Sequence, residues 1–303
     1  MRAFAAIVAI ALTAQKPVAQ DPHPFRSAVE VTTIAASVFD KDGKIVAGLG
    51  REAFEVYEDG VRQNVTQFTN ERVPIGLGVL LDTSDSMYGK RIRDARDTVD
   101  QFLFTLLAPT DEFFIVAFNH QVKVLTDWTN TPDVVRSALD AIKPWGATAV
   151  YDAVLRALPI LDRRSRQRAA ILIISDGDDT ASDATIREVR AALVRSDSFV
   201  YAIAIDPADR RAINARTNPE ALREITNESG GRTLVVSTSA ELAAAAAQVA
   251  EELNNQYVLG YVSPKGADGQ FHSIRVRAVG GDYRVRARNG YVATPTTRQR
   301  GPG

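Results

Sequence analysis

Five oxygen-bearing side chains lie at points where the sequence predicts that strands end and loops begin. They are Asp82, Ser84, Ser86, Thr148 and Asp176. The first three alternate along one loop after the apolar run 75–81, so their side chains can converge. Hard cations such as Mg²⁺ take oxygen ligands, and ligands bind at the carboxyl ends of strands in open parallel sheets. These side chains could therefore hold one divalent cation, with Mg²⁺ expected and Mn²⁺ or Ca²⁺ as alternatives.

The Asp82 loop taken alone also has a structural interpretation. Serine and aspartate are favoured N-cap residues, and a helix is predicted to begin near Lys90.

Other metal chemistry is disfavoured, because His23, His120 and His272 are too far apart in sequence for a His-Glu-x-x-His zinc helix. The chain has no cysteine, which excludes disulfides and thiolate ligands.

The elements that would position these side chains form an alternating series from residue 73 onward. Apolar runs typical of buried strands alternate with amphipathic segments, which predicts a doubly wound α/β domain with a mostly parallel sheet over 73–254. The predicted strands are 75–81, 113–118, 169–174, 199–205 and 233–236. The predicted helices are 90–107, 132–142, 150–161, 185–195, 219–228 and 240–254.

Both flanks of this domain have β character. Residues 26–70 alternate apolar and polar positions, with a hairpin expected around 40–43 and a turn at Asp59-Gly60, and residues 255–293 follow the same pattern. The first strand and last helix of a doubly wound domain can leave the chain ends close together. We therefore expect the two segments to pack as one small β-sandwich-like domain, followed by a polar, disordered tail at 294–303.

The start of the chain is typical of an export signal. Arg2 precedes a short apolar run that ends near Ala14, and Lys16-Pro17 follows. The run is too short to span a bilayer as a helix, and no later run is long enough either. We expect 1–20 to be a signal peptide and the mature chain to be periplasmic or extracellular, without a transmembrane span. An amphipathic or buried first helix, or a signal retained as an anchor, remains an alternative.

The overall charge is nearly balanced. The chain has 36 basic and 37 acidic residues and a formal net charge of −1. No global field therefore attracts it to nucleic acid, and we expect no nucleic-acid partner. The sequence leaves the oligomeric state open.

The combination of Asp-x-Ser-x-Ser, a later threonine and a later aspartate resembles the metal-ion-dependent adhesion site of von Willebrand factor A domains. The resemblance covers roughly 73–253 and places Asp82, Ser84, Ser86, Thr148 and Asp176 at the metal-binding positions of that family. It implies that an Asp or Glu of a partner protein completes the metal shell. It also implies that the last helix, 240–254, shifts on binding. Motifs at 54–60, 256–261 and 285–291 are similar to those of bacterial exported proteins related to this family.

These observations predict a protein that binds other proteins in adhesion or assembly and is not an enzyme. The sequence has no Gly-x-Ser-x-Gly elbow and no P-loop. The alternative function is a metal-dependent hydrolase in which Asp85, Asp178 or Asp179 acts as a base. The simpler interpretation of these three residues is that they are solvated loop acids. Trp145 lies beside Thr148 in sequence and could line the site or belong to the core.

A second alternative concerns the arginines of the last strands. Arg275, Arg277, Arg284, Arg286 and Arg288 recur at a period of two, which predicts that they share one face of a sheet. That face is either solvated or a basic strip for anionic polymers or lipid headgroups.

Overall fold

The computed structural model describes residues 31–176, 179–206 and 219–293 of the chain. The predicted signal peptide 1–20, the first residues of the N-terminal β segment, Asp178 and the predicted tail 294–303 lie outside the described residues. The described part contains a six-stranded mixed sheet and two four-stranded antiparallel sheets. The predicted fold class, a mostly parallel α/β sheet flanked by a β unit of N- and C-terminal strands, is confirmed.

Fourteen strands are found in the described residues. They are β1 (Val31–Phe39), β2 (Phe54–Glu58), β3 (Val61–Gln63), β4 (Val65–Thr69), β5 (Ile75–Asp82), β6 (Glu112–Phe118), β7 (Val122–Thr129), β8 (Arg168–Ser175), β9 (Phe199–Ile205), β10 (Thr233–Val236), β11 (Tyr257–Val262), β12 (Phe271–Ala278), β13 (Arg284–Ala287) and β14 (Gly290–Val292). The central sheet has the order β10-β9-β8-β5-β6-β7. Every residue of β5 and β8 is buried, as expected for strands covered on both faces.

Six α-helices cover this sheet within the described residues. They are α1 (Lys90–Gln101), α2 (Pro132–Asp140), α3 (Val150–Leu161), α4 (Ile186–Arg195), α5 (Pro219–Ser229) and α6 (Ser239–Asn254). Helix α1 buries Ile92, Ala95 and Val99, which are three and four residues apart and so share one helix face. It continues as a π-helical turn at Phe102–Leu106. One hydrophobic core lies on each face of the sheet.

The flanking strands pair with one another. Strand β1 is antiparallel to both β11 and β13, so the N-terminal and C-terminal segments share a sheet. The other small sheet has the order β14-β12-β2-β3, and a third hydrophobic core lies between the two. The hairpin expected around 40–43 is reduced to a single bridge between Phe39 and Ile45. The domain limits 26–70, 73–254 and 255–293 stay a prediction.

The prediction that five arginines share one face is wrong. Strand β12, with Arg275 and Arg277, belongs to one small sheet, and β13, with Arg284 and Arg286, belongs to the other. The turn at 280–281 takes the chain from one sheet to the other, so the period of two does not continue across it. Arg286 also pairs with the buried carboxylate of Glu252 at 2.9 Å, which removes it from any solvated strip.

Buried polar contacts surround the end of α6, which directly precedes the C-terminal strands. The Glu252 carboxylate at the end of α6 also pairs with Arg232 and accepts a hydrogen bond from the Tyr201 hydroxyl at 3.0 Å. Arg168, 5% exposed, donates to the carbonyls of Val73 and Leu253.

No helix among the described residues is both long and apolar enough to cross a membrane.

Candidate functional site

The candidate site begins where β5 ends. Asp82 is the last residue of that strand and is fully buried. Its Oδ1 accepts a hydrogen bond from the backbone N–H of Ser84 at 2.8 Å, and its Oδ2 accepts one from the Ser175 hydroxyl. A short 3-10 turn at Asp85–Met87 follows, and the buried Met87 side chain anchors it to the core. The Asp82 carboxylate is therefore held in place by two neighbouring strand ends.

Two serines connect this loop to the end of β8. The hydroxyls of Ser84 and Ser86 lie 2.9 Å apart, within hydrogen-bond distance. The Ser86 hydroxyl donates to Oδ1 of Asp176 at 2.6 Å. Asp82, Ser84, Ser86 and Asp176 thus form one connected polar group, because Ser175 links Asp82 back to the same strand end.

Thr148 lies in a neighbouring loop that is tied to the Asp82 loop by the backbone. The N–H of Asp85 donates to the carbonyl of Gly146 at 2.9 Å, and the N–H of Trp145 donates to the carbonyl of Thr83 at 2.9 Å. The Thr148 side chain is 5% exposed. Its hydroxyl forms no hydrogen bond with the described residues, whereas its backbone carbonyl accepts from two N–H groups of the 180–181 loop. The structure therefore joins Asp82, Ser84, Ser86 and Asp176 by hydrogen bonds, whereas no described hydrogen bond joins the Thr148 hydroxyl to them.

The two carboxylates differ in their electrostatic surroundings. Burial raises the pKa of Asp82 from 3.8 to about 6, and the hydrogen bonds from Ser175 and Ser84 only partly oppose this rise. Burial also raises the pKa of Asp176, although Arg91 pairs with its Oδ2 at 2.7 Å. Asp82 has no ion pair with a described residue. A buried carboxylate without a paired cation is the setting in which a bound cation contributes most.

The donor set fits a hard divalent cation. Two buried carboxylates and three hydroxyls offer only oxygen, which suits Mg²⁺, Mn²⁺ or Ca²⁺ better than softer metals. Within the described chain, no group of three or more His, Cys, Asp or Glu residues is arranged to hold a metal, so the hydroxyls would be essential.

Sequence reasoning did not identify Arg91 or Ser175. Ser175 directly precedes Asp176, but Arg91 has no distinguishing sequence signal.

The acids considered for hydrolysis have different environments. Asp179 accepts hydrogen bonds from the N–H of Tyr151 at 3.0 Å and from the Ser182 hydroxyl at 2.6 Å, so it holds the first turn of α3. Asp85 is exposed. An Asp179 carboxylate committed to the α3 N-terminus is poorly available as a general base.

Aromatic side chains lie on the surface beside the Asp82 loop. Trp145 is 54% exposed and Tyr88 is 78% exposed. The core position considered for Trp145 is therefore wrong, because its indole lies at the surface. The ring of His120 contacts the Trp145 ring edge-to-face, with centroids 4.3 Å apart. Gly146 has a φ of +80°, and an added Cβ would collide with the His120 ring, so this loop requires glycine.

Comparisons with known proteins agree with this architecture. Residues 77–178 match the family model of the von Willebrand factor type A domain. No curated protein matches the chain. A von Willebrand factor type A protein from Catenulispora acidiphila is similar in fold, with 13% identity over 90% of this chain and 76% of that chain and a TM-score of 0.52.

Two further solved structures match part of the chain. The conserved hypothetical protein BatB from Bacteroides thetaiotaomicron has 18% identity over 59% of this chain and 98% of that chain, with a TM-score of 0.47. The vWF domain of the type V pili tip protein Mfa5 from Porphyromonas gingivalis has 14% identity over 60% and 96%, with a TM-score of 0.47. The family match includes the Asp82 loop and reaches just beyond Asp176. Residues 77–178 of this chain therefore form a von Willebrand factor type A domain.

Proposed function

We propose that this chain is an exported protein that binds other proteins through a divalent cation, in adhesion or assembly. The proposed ligands are Asp82, Ser84, Ser86, Thr148 and Asp176, the proposed ion is Mg²⁺, with Mn²⁺ or Ca²⁺ as alternatives, and the partner supplies an Asp or Glu carboxylate. A periplasmic or extracellular location follows from the predicted signal peptide 1–20.

The observation that supports this proposal best is the connected polar group at the ends of β5 and β8. Two serine hydroxyls join the Asp82 loop to Asp176 through contacts of 2.9 and 2.6 Å. Side chains from loops that are 90 residues apart in sequence meet at one sheet edge, where ligands bind in open α/β sheets. A helix N-cap would explain a polar residue before α1, but Gly89 is the N-cap and no side chain caps that helix.

Charge counting explains why a partner carboxylate would be attracted. The hydroxyls of Ser84, Ser86 and Thr148 are neutral, and the charge of Asp176 is partly compensated by Arg91. A bound divalent cation would supply positive charge that these residues do not fully neutralise. An incoming Asp or Glu from a partner would restore neutrality, and the exposed Trp145 and Tyr88 would contact the surrounding partner surface.

The contacts also favour binding over catalysis. The described acids nearest the group are either exposed, as Asp85 is, or committed to structure, as Asp179 is. A general base must be free to accept a proton from the reacting group, and the Asp179 carboxylate is already occupied by the N–H of Tyr151 and the Ser182 hydroxyl. We therefore propose a binding protein and no enzymatic activity.

Calorimetric titration of the folded, chelator-treated chain with MgCl₂, MnCl₂ and CaCl₂ tests the proposal. We expect uptake of one cation by the wild type and loss of uptake in Asp82→Asn, because the amide removes one of two carboxylates. Asp97→Asn is the matched control, since Asp97 is an exposed aspartate of α1 outside the group. Equal uptake by Asp82→Asn and wild type, or no uptake of any of the three cations, would contradict the proposal.

The partner is tested on the same variants. Extracellular and membrane fractions are passed over the immobilised chain in Mg²⁺ and in EDTA. Proteins retained in Mg²⁺ by wild type and by Asp97→Asn, but lost in EDTA and with Asp82→Asn, are the expected partners. Retention that is insensitive to both EDTA and Asp82→Asn would contradict a cation-dependent contact.

A further inference from the structure

A pocket of about 270 Å³ lies between the edge of the central sheet and α2, beside the candidate cation site. Part of its lining is apolar and includes Ala117, Leu125, Ala138 and Ile142. Its exposed lining residues, which form the rim, are Lys123, Lys143, Gln121 and Trp145, and the buried Asn119 also lines it. A volume just below the range of about 300–1,000 Å³ for small-molecule sites suits one side chain or a fragment of similar size.

The pocket is directly connected to the Asp82 loop. Thr83 lines the pocket and directly precedes Ser84, and its N–H donates to the carbonyl of Phe118 at 2.7 Å. The carbonyl of Thr83 accepts from the N–H of Trp145, which belongs to the rim. Consecutive Cα atoms are about 3.8 Å apart. The pocket and the candidate site therefore meet on adjacent residues of one loop, Thr83 and Ser84.

The rim has a net positive charge. No acidic side chain is among the described residues that line the pocket. Lys123 and Lys143 are exposed, and neither forms an ion pair within the described part of the chain. Unpaired cations around a partly apolar cavity are complementary to an apolar group that carries a carboxylate.

Trp145 makes an aromatic occupant favourable. Its ring is 54% exposed at the pocket rim and is held from behind by the edge-to-face contact with His120. Aromatic pairs contribute beyond the area that they bury, and exposed tryptophans are frequent hot spots of interfaces. An aromatic side chain could enter between Ile142 and Leu125 while its ring edge contacts the indole.

We propose that this pocket is a second binding site for the partner, which takes an aromatic side chain with a neighbouring carboxylate. The proposal rests on the proposed function, because it places the aromatic residue near the acidic residue that the cation would bind. Residues i and i+2 of an extended strand point to the same side. The partner segment therefore has the pattern acidic residue, any residue, aromatic residue, with a further acid beside the aromatic ring that pairs with Lys123 or Lys143.

The pocket can be tested without the cation. The probe is 3-phenylpropionate, titrated in EDTA while the indole N–H signals are followed by two-dimensional NMR. The chain has two tryptophans, and the Trp128 indole donates to the carbonyl of Ile160 at 3.3 Å, away from this rim. Trp145→Phe identifies the Trp145 signal. We expect that signal to shift with a dissociation constant on the order of 5 mM, as is usual for a fragment of this size.

Charge variants separate this pocket from a general charge effect. Lys123→Ala/Lys143→Ala removes the rim charges and is expected to weaken 3-phenylpropionate binding by about fivefold or more. Lys41→Ala/Lys44→Ala is the control, because it removes the same charge from exposed lysines of the distant 40–44 turn. The neutral analogue 3-phenylpropanamide is expected to bind as weakly to the wild type as the acid does to the Lys123/Lys143 variant.

Each outcome decides the proposal. A Trp145 shift that is lost in the Lys123/Lys143 variant and kept in the Lys41/Lys44 variant supports it. The absence of a shift, equal binding of acid and amide, or equal weakening in both double variants overturns it. Because the titration is performed in EDTA, its result does not depend on cation uptake. Failure of the proposed cation site would instead appear in the calorimetric titration of Asp82→Asn and wild type.

Discussion

Replacement of Asp82 by asparagine is expected to stabilise the cation-free chain and to destabilise the chain in Mg²⁺. In the folded state, burial raises the pKa of Asp82 from 3.8 to about 6. One pKa unit corresponds to about 1.4 kcal/mol, so keeping this carboxylate ionised in the folded chain at pH 8 costs about 3 kcal/mol. Asparagine carries no charge and avoids this cost.

The net gain is smaller than the full electrostatic cost. The side-chain oxygen of the introduced asparagine can still accept from the N–H of Ser84. Its amide group, however, presents a donor toward the Ser175 hydroxyl, which in the wild type donates to Asp82. The altered hydrogen bond offsets about 1 kcal/mol. We therefore expect Asp82→Asn to raise the free energy of unfolding by about 2 kcal/mol in EDTA at pH 8, measured from urea unfolding curves.

The difference in unfolding free energy between Asp82→Asn and the wild type should depend on pH. A carboxyl group whose pKa is raised in the folded state binds its proton more tightly there, so the wild type loses stability as pH rises from 3.8 through about 6. The electrostatic part of the advantage of Asp82→Asn should thus fall to about 1 kcal/mol at pH 4.5. Saturation with Mg²⁺ should reverse the order, because a cation at 100 times its dissociation constant stabilises the wild type by about 2.7 kcal/mol.

Two results would refute this reasoning. If Asp82→Asn destabilised the chain equally in EDTA and in Mg²⁺, Asp82 would be a hydrogen-bonding group of the fold with no electrostatic cost. If the stability difference in EDTA did not change between pH 4.5 and pH 8, burial would not govern its ionisation. Asp97→Asn, at an exposed position of α1, should change the unfolding free energy by less than about 0.5 kcal/mol at both pH values.

Other predictions follow from charged groups at and beyond the site. Arg91→Gln removes the cation paired with Asp176 and should tighten Mg²⁺ binding about tenfold at low salt, measured by calorimetry. Glu252→Gln leaves Arg232 and Arg286 without their buried carboxylate and should cost about 2–4 kcal/mol in urea unfolding. The hydrogen bond to Asp59 raises the pKa of His272 above its ordinary value of 6.5, which NMR titration should show. The stability that this shift contributes should be lost as pH rises through the raised, folded-state pKa, and it should be absent in His272→Gln. Hydrogen exchange in helix 239–254 should slow when Mg²⁺ replaces EDTA, and unchanged protection would contradict a coupled last helix.

The central sheet was predictable because burial on both faces leaves a strong pattern. Strands 199–205 and 233–236 and helix 150–161 have the predicted limits. The edge strand β7, Val122–Thr129, was not predicted. It is half-buried and antiparallel with two register shifts against β6, so neither a continuous apolar run nor a strict alternation marks it in the sequence.

The site was less completely predictable. The alternation of Asp82, Ser84 and Ser86 after a strand signals a set of converging oxygens, and these residues do contact Asp176 through Ser86. Arg91 could not be predicted as a partner of Asp176, because a basic residue in the first turn of a helix is usually solvated and only the tertiary fold brings these two side chains together. The prediction that the arginines of the last strands share one face was wrong for a related reason. A period of two predicts a shared face only while the chain stays in one sheet.

Helix α6 connects the candidate site to the β unit through polar contacts at both of its ends. Near its start, the Ser239 hydroxyl donates to Asp94 at 2.6 Å, and Asp94 lies on α1, the helix that carries Arg91. At its end, the fully buried carboxylate of Glu252 pairs with Arg286 of β13, whose side chain is 27% exposed. This ion pair tolerates little displacement, because separating the charges leaves the buried Glu252 carboxylate poorly solvated. A shift of α6 would therefore either move β13 with it or break this pair, so any movement at the Asp82 loop that reaches α6 is opposed or transmitted at Glu252.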